Sequence, residues 1–275
     1  KSYLIETIGL TDNDDYKLNL ASEIPSFKNG FDIVLHAAGK AHSFSNDEKE
    51  EFFKVNLQGT KNLCIALEKN KIPKAFIFIS TVAVYGLEFG DEITEEYPLN
   101  GKTPYAVSKI QAEEFLKKWC VKNNVILGII RPSLIAGKNP PGNLGAMING
   151  IKTGKYLRIG NGIARKSILM AEDIPRIIPK LVKVGGIYNL CDNDHPTFAE
   201  LEDLITNQLN KKSSFIVPYW FAKALALVGD LIGEKFPINS NRLSKIVSSL
   251  TFSNEKAKKE LGWEPLSVIH NFRIK

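Results

Sequence analysis

The chain has 275 residues, 44% of them hydrophobic, and a formal net charge of +6; this suits one large α/β domain or a main domain with an appended lobe. Cys64, Cys120 and Cys191 stand far apart without a CxxC pair or metal-ligand spacing, which argues against a disulfide framework and for a reduced, cytoplasmic setting. No apolar run nears the ~20 residues of a membrane span, and the cations are spread over Lys-rich faces such as EKAKKEL, so neither a secretory leader, a membrane partner nor nucleic acid is expected, while an anionic small molecule is favoured.

In chain order, FDIVLHAAG, residues 31–39, is a continuous apolar run that ends in small residues, the pattern of a buried parallel strand and its tight exit. A helical period follows from about Asp47 to Asn70. AFIFIST then reads as a second apolar strand, Pro104 to about Asn123 as a second helix, and VILGIIRP as a third strand. This alternation predicts a Rossmann-type, doubly wound parallel sheet over residues 1–132. Past Pro132 the rhythm breaks at the loop AGKNPPGNLG, and residues 133–275 read as a smaller mixed α/β substrate lobe with segments returning to the core. The apolar segment Trp220 to Gly233 reads as a packed helix rather than an interfacial anchor. HAAGK, STVAVYG and RPSLIAG all lie at carboxyl ends of strands, where such sheets bind ligands.

The chemistry is concentrated in KTPYAVSKIQAEEF, where Tyr105 and Lys109 stand four apart on one helix face. A free phenol titrates near ~10, and an ammonium one turn away is expected to favour the phenolate, making Tyr105 a useful acid/base. Thr103 can cap this helix and Pro104 suits its first turn. Ser80 and Thr81 close the preceding strand and offer hydroxyls to a substrate oxygen. Such a set can move a proton at an alcohol or ketone, and the accompanying hydride requires a nicotinamide cofactor. Tyr219 and Lys223 repeat the spacing, but no hydroxyl-bearing strand precedes them, so they read as coincidence.

The ordered set VLHAAG, FKVNLQGTKNL, FIFISTVAVYG, TPYAVSKIQAE, IIRPSLIAG, GNLGAMINGI and SNEKAKKELGWEP resembles the extended short-chain dehydrogenase/reductase family of nucleotide-sugar epimerases, dehydratases and ketoreductases. The resemblance implies that Tyr105 is the acid/base, that Lys109 also holds the nicotinamide ribose, and that Thr81 takes the place of the family's Ser or Thr. It also implies cofactor contacts at Ala37, Ala38, Gly39, Pro132 and Ser133. Asn143, Arg165 and Arg242 match positions that hold a nucleotide diphosphate, with Ser80 beside the sugar. NAD or NADP is the implied cofactor, NAD being favoured; a UDP-sugar is the favoured substrate, and a homodimer is left open. Asn56 reads as a brace and His36 as a satisfied core histidine, while His42, His195 and His270 have no ligand spacing, so no metal is assigned.

The family opens with a strand and a GxxGxxG turn that cradles pyrophosphate, and the first thirty residues, KSYLIETIGLTDNDDYKLNLASEIPSFKNG, hold no such pattern. The expectation is that this strand and loop precede Lys1, with SYLIETIGL as the second strand and Glu6 as a candidate for the adenosine ribose; the alternative is a relative that has lost cofactor binding. Dehydratases of the family place Asp-Glu after the Thr, and Val82 and Ala83 here cannot transfer protons. The reading is therefore a 4-epimerase that passes through a transient 4-keto sugar. The alternatives are a nucleotide-4-keto-sugar reductase and, from another class, a non-catalytic dinucleotide-sensing protein.

Overall fold

The computed structural model describes residues 3–41, 49–212, 214–233 and 238–274. The chain divides into two compact units: Lys1–Gly86, Pro98–Arg131 and Ile178–Tyr188 form the first, and Leu87–Tyr97, Pro132–Ile177 and Asn189–Lys275 the second.

The first unit is built on a parallel sheet in the order β10 (Gly186–Leu190), β6 (Ile126–Pro132), β4 (Ala75–Ile79), β3 (Ile33–His36). The register runs Ile33↔Ala75 to His36↔Phe78 and Ala75↔Ile126 to Ile79↔Ile130. β4 and β6 are inner strands, and their apolar runs AFIFI and GIIRP are buried accordingly. On one sheet face Phe76 and Phe78 pack with Leu63, Leu67, Leu116 and Trp119 from helices α2 (Gly59–Lys69) and α3 (Pro104–Asn123). On the other, Leu181 of α5 (Ile174–Val184) presses so closely on Gly128 that a Cβ there would lie 2.7 Å from it.

Two strand expectations are corrected. β3 is parallel as expected but is not fully buried: Leu35 is 48% exposed, because among the described residues β3 has one ladder partner, β4. Among the described residues of SYLIETIGL only Ile8–Gly9 (β1) form a strand, paired in parallel with Tyr16–Lys17 (β2) in a separate two-stranded sheet, and Tyr3, Leu4 and Ile5 are exposed. Glu6 accepts hydrogen bonds from the Tyr16 hydroxyl (2.9 Å) and the Asn29 carboxamide (3.1 Å).

The helical period expected from Asp47 begins, within the described residues, as α1 (Lys49–Phe53), widens into a π-helical turn over Lys54–Gln58 and continues as α2; Asp47 and His42 lie outside the described residues. Asn56, at the centre of the wide turn, is fully buried and holds two other segments. Its Oδ1 accepts from the Lys40 amide (2.8 Å), and its Nδ2 donates to the Lys40 carbonyl (3.0 Å) and to Ser108 Oγ (2.9 Å).

The second unit is assembled from short parallel pairs: β7 (Leu134–Ala136) with β9 (Ile168–Met170), β8 (Leu157–Ile159) with β11 (Phe215–Val217), and β5 (Gly90–Ile93) with β12 (Leu250–Phe252). Leu144, Met147 and Ile151 of α4 (Gly142–Lys152), at the i, i+3, i+7 spacing of one face, pack with Leu201 and Ile205 of α6 (Phe198–Gln208) and with β9. Trp220 to Gly233 forms a helix, α7 (Tyr219–Ile232), and it is packed as expected, though through small residues. Its buried side consists of Ala222, Ala226 and Gly229, set against α8 (Ser240–Val247), Ile159 and Val217, and its large apolar side chains face outward. Among the described residues no helix is long and apolar enough to cross a membrane.

Candidate active site

Local sequence fixes where α3 starts. Thr103 is extended (φ −69°, ψ 149°), its hydroxyl accepts from the Ala106 amide (3.2 Å), and Pro104 occupies the first turn, where a missing N–H costs nothing. Tyr105, Lys109 and Glu113 then follow at i, i+4 and i+8, stepping inward from a half-buried phenol to a buried ammonium and a fully buried carboxylate.

Thr81 lies two residues past the end of β4 and caps a 3-10 turn over Val82–Tyr85, its Oγ1 accepting from the Ala83 amide (3.1 Å). With that oxygen accepting, its O–H is available as a donor, and the Thr81 side chain bears on the Tyr105 phenol, drawing its pKa down. Lys109 is aimed at the same strand end: its Nζ donates to the Ile79 carbonyl (2.9 Å) and lies 4.5 Å from the centroid of the Phe78 ring.

The electrostatics differ from the expectation. Burial pushes the Tyr105 phenol above its usual range, with the Thr81 bond pulling the other way. Burial pulls Lys109 down to about 8, while the Glu113 carboxylate opposes that fall. The i, i+4 spacing sets both residues on one helix face, but burial is the largest influence on each and acts against the charged form of both. His36, as expected, is a satisfied core histidine: its Nε2 lies 2.9 Å from Thr60 Oγ1, and burial, with Lys109 nearby, holds it neutral with a pKa of about 3.

Ser80 was expected beside the substrate. Its hydroxyl is buried and donates to Glu113 Oε1 (2.6 Å), while the Thr81 side chain bears on Tyr105. Ser80 belongs to a network that sequence reasoning missed. Arg131, at the end of β6, donates from Nε to Glu113 Oε1 (3.0 Å), from Nη2 to Oε2 (2.6 Å) and from Nη1 to the Tyr85 hydroxyl (3.0 Å). Both charges are withdrawn from solvent, at 2% and 0% side-chain exposure. Two signals were present: Glu113 continues the Tyr105–Lys109 series by one more turn, and Arg131 is a charge at the end of the apolar run VILGII.

The loop after β3 carries Ala37, Ala38 and Gly39, all exposed. A Cβ on Gly39 would stand 3.0 Å from Lys109 Nζ and 3.2 Å from Asn56 Oδ1, so this backbone comes nearer to the lysine than a larger residue allows. Those three residues, Thr81, Tyr105 and Lys109 all belong to the first unit.

The remaining candidates belong to the second unit, starting with Pro132. Ser133 donates its amide to the Leu190 carbonyl (3.0 Å), and its buried hydroxyl has no partner among the described residues, which suits a ligand group. Asn143 is exposed in the first turn of α4. The exposed Arg165 donates from Nε to the His195 carbonyl (2.9 Å) and from Nη2 to the Asp194 carbonyl (2.7 Å). Arg242 is exposed on α8, its amide capped by Asn239. His195 bridges Glu92 (2.9 Å) and Ser167 (3.0 Å), His270 is exposed, and no group of three or more His, Cys, Asp or Glu among the described residues has metal-binding geometry. Tyr219 and Lys223, the competing pair, are both exposed on α7.

Comparison with known proteins bears on this constellation. The pattern of the NAD dependent epimerase/dehydratase family matches residues 10–191. The N-acetyl-alpha-D-glucosaminyl-diphospho-ditrans,octacis-undecaprenol 4-epimerase of Escherichia coli O157:H7 is 32% identical over 82% of this chain and 71% of its own length. The UDP-glucose 4-epimerase of Bacillus subtilis (strain 168) is 27% identical over 86% of this chain and 71% of its own. In three dimensions the chain resembles RMD from Pseudomonas aeruginosa, solved with NADPH, with a TM-score of 0.67, 21% identity and coverage of 93% of this chain and 84% of that one.

Proposed function

The chain belongs to the NAD-dependent epimerase/dehydratase family, and from that premise we propose that it is a nucleotide-sugar 4-epimerase working through a transient 4-keto sugar. It is an enzyme, with a nicotinamide dinucleotide as cofactor, which sets aside the non-catalytic sensing alternative. The observation that carries the finer reading is the opening of α3, which sets Tyr105 and Lys109 on one helix face, with the Thr81 side chain bearing on the phenol.

In this reading Tyr105 takes the proton of the C4 hydroxyl as the ketone forms and returns it as the alcohol is remade, while Thr81 holds the same oxygen in place. Lys109 keeps a positive charge beside the phenol, and its Ile79 and Phe78 contacts fix where that charge stands. When bound, the cofactor supplies the hydride acceptor and donor. In the first unit Ala37, Ala38 and Gly39, the last with its backbone close to Lys109, are assigned to the cofactor. In the second unit Pro132 and Ser133, whose buried hydroxyl awaits a partner, are assigned to it as well, and no GxxGxxG for the pyrophosphate occurs among these 275 residues. Asn143, Arg165 and Arg242 are assigned to the substrate diphosphate, for which Arg165 must release its two carbonyl partners.

Val82 and Ala83 form the turn directly after Thr81, so no carboxyl side chain stands there to eliminate water. The choice that remains is between epimerase and 4-ketoreductase, and it follows the hydride. An epimerase returns the hydride to the sugar it came from, whereas a reductase consumes one reduced cofactor per sugar. Incubation with UDP-N-acetylglucosamine, UDP-glucose and a nucleotide 4-keto sugar, with products followed by chromatography and cofactor by absorbance, is expected to give a 4-epimer with no net change in reduced cofactor. Stoichiometric oxidation with the keto sugar, and no epimer from the others, would make it the reductase.

A further inference from the structure

Helix α7, YWFAKALALVGDLI, reverses the usual arrangement of a surface helix, in which large apolar residues face the core and polar ones face water. Its inward residues are the small Ala222, Ala226 and Gly229, at i, i+4 and i+7. They let the helix backbone lie close on Leu243, Val247, Ile159 and Val217, and leave no depth for a large side chain on that side. Trp220, Leu227 and Leu231, at i, i+7 and i+11, are 72%, 56% and 90% exposed. β11, which leads into α7, extends the surface with Phe215 at 84% exposure. An apolar surface of this extent marks an interaction site.

The surface has a cationic margin. β8 and β11 are parallel and pair Leu157 with Phe215, so Lys155, Lys211 and Lys212, all exposed, precede the same end of the ladder. Lys223 stands on α7 between Trp220 and Leu227, on a stem long enough to place its ammonium beyond the apolar side chains. An anionic bilayer surface takes the aromatic and aliphatic side chains into its headgroup boundary and supplies the counter-charge for the lysines.

We propose that α7, with the β8–β11 edge, is an interfacial docking surface for anionic lipid bilayers, with α7 lying in the plane of the membrane and Trp220, Leu227 and Leu231 inserted. This goes beyond the proposed activity and does not depend on it, because the partner is the lipid surface whichever sugar is processed.

The experiment uses the full chain and vesicles free of any sugar lipid, so a failure of the epimerase reading leaves it interpretable. Sedimentation is compared on vesicles of equal phosphatidylcholine and phosphatidylglycerol and on phosphatidylcholine alone, at low and high salt. The anionic vesicles are expected to carry the protein down in a salt-sensitive way. Of the three tryptophans, Trp119 and Trp263 are buried, so a blue shift of emission on adding vesicles reports Trp220. The double variant Trp220→Ser, Leu231→Asp, at exposed positions, should partition at least ~10-fold less, and Lys211→Glu with Lys212→Glu should lose the preference for anionic lipid while the circular dichroism of both stays unchanged. No binding to anionic vesicles, or equal binding by the double variant, overturns the proposal. So does a dimer in analytical ultracentrifugation that the double variant dissociates and vesicles do not recruit.

Discussion

Replacing Lys109 by Met tests whether the site stores unfavourable electrostatic energy. The ammonium is buried, with a pKa near 8 in the folded protein against ~10.4 in an unfolded chain. A gap of about 2.4 units at ~1.36 kcal/mol each makes the charged lysine a penalty of about 3 kcal/mol at neutral pH. The sign follows from proton counting: between those two pKa values the unfolded chain holds a proton that the folded one has released, so raising the pH favours folding. Below pH ~8 the penalty is present in full, and it is relieved as the pH rises toward ~10.4. Methionine keeps the length of the stem, cannot titrate, and loses the Ile79 bond equally at every pH. Urea unfolding of both proteins at about pH 7 and about pH 9.5 should therefore show the wild type gaining about 2 kcal/mol on the variant over that interval. Parallel stability curves would refute the reasoning, because they would mean that Lys109 is solvated and carries no depressed pKa.

Tyr105→Phe should lower turnover by about 10²–10⁴-fold while leaving sugar-nucleotide affinity near wild type by calorimetry, and Tyr219→Phe should leave both unchanged; the opposite order would move the acid/base to α7. Arg131→Met should cost about 3–5 kcal/mol in urea unfolding because it leaves the Glu113 charge buried and unpaired, whereas Arg131→Met with Glu113→Leu should recover most of that loss. Gly86 sits at φ 70°, and a Cβ there would lie 2.4 Å from the Asn100 carbonyl oxygen. Gly86→Ala should accordingly destabilise by at least about 2 kcal/mol, and a thermal midpoint equal to wild type would show that the turn after Tyr85 shifts freely.

The order of strands and helices was legible because it rests on local periodicity, and so were the start of α3 at Thr103 and Pro104 and its end at Asn123, where Asn124 takes the left-handed conformation (φ 54°). Features that depend on what lies across the fold were not legible. The π-helical turn at Lys54–Gln58 coincides with Asn56 reaching Lys40 and Ser108, both distant in sequence. FDIVLHAAG is apolar enough for a central strand, yet its burial depends on how many neighbours β3 has. Ser80 and Thr81 look interchangeable in a string of letters, but alternate residues of an extended chain point to opposite sides. The Ser80 hydroxyl therefore meets Glu113, while the Thr81 side chain bears on the Tyr105 phenol.

That alternation also explains why the ion pair matters to a site it does not enter. Burying Lys109 lowers its hold on a proton, which works against a role that needs a fixed positive charge beside a phenol. The opposing influence is the Glu113 carboxylate one turn deeper, and a carboxylate with no side-chain exposure must itself be held. Arg131 holds it with two parallel hydrogen bonds, and Ser80, just past β4 and next to Thr81, adds a third. Tyr105, Lys109 and Glu113 thus form one graded column on α3, braced by β4 and β6 at its inner end and open at its outer end. A surface salt bridge could not serve in its place, because solvent would screen the carboxylate and leave the lysine to lose its proton.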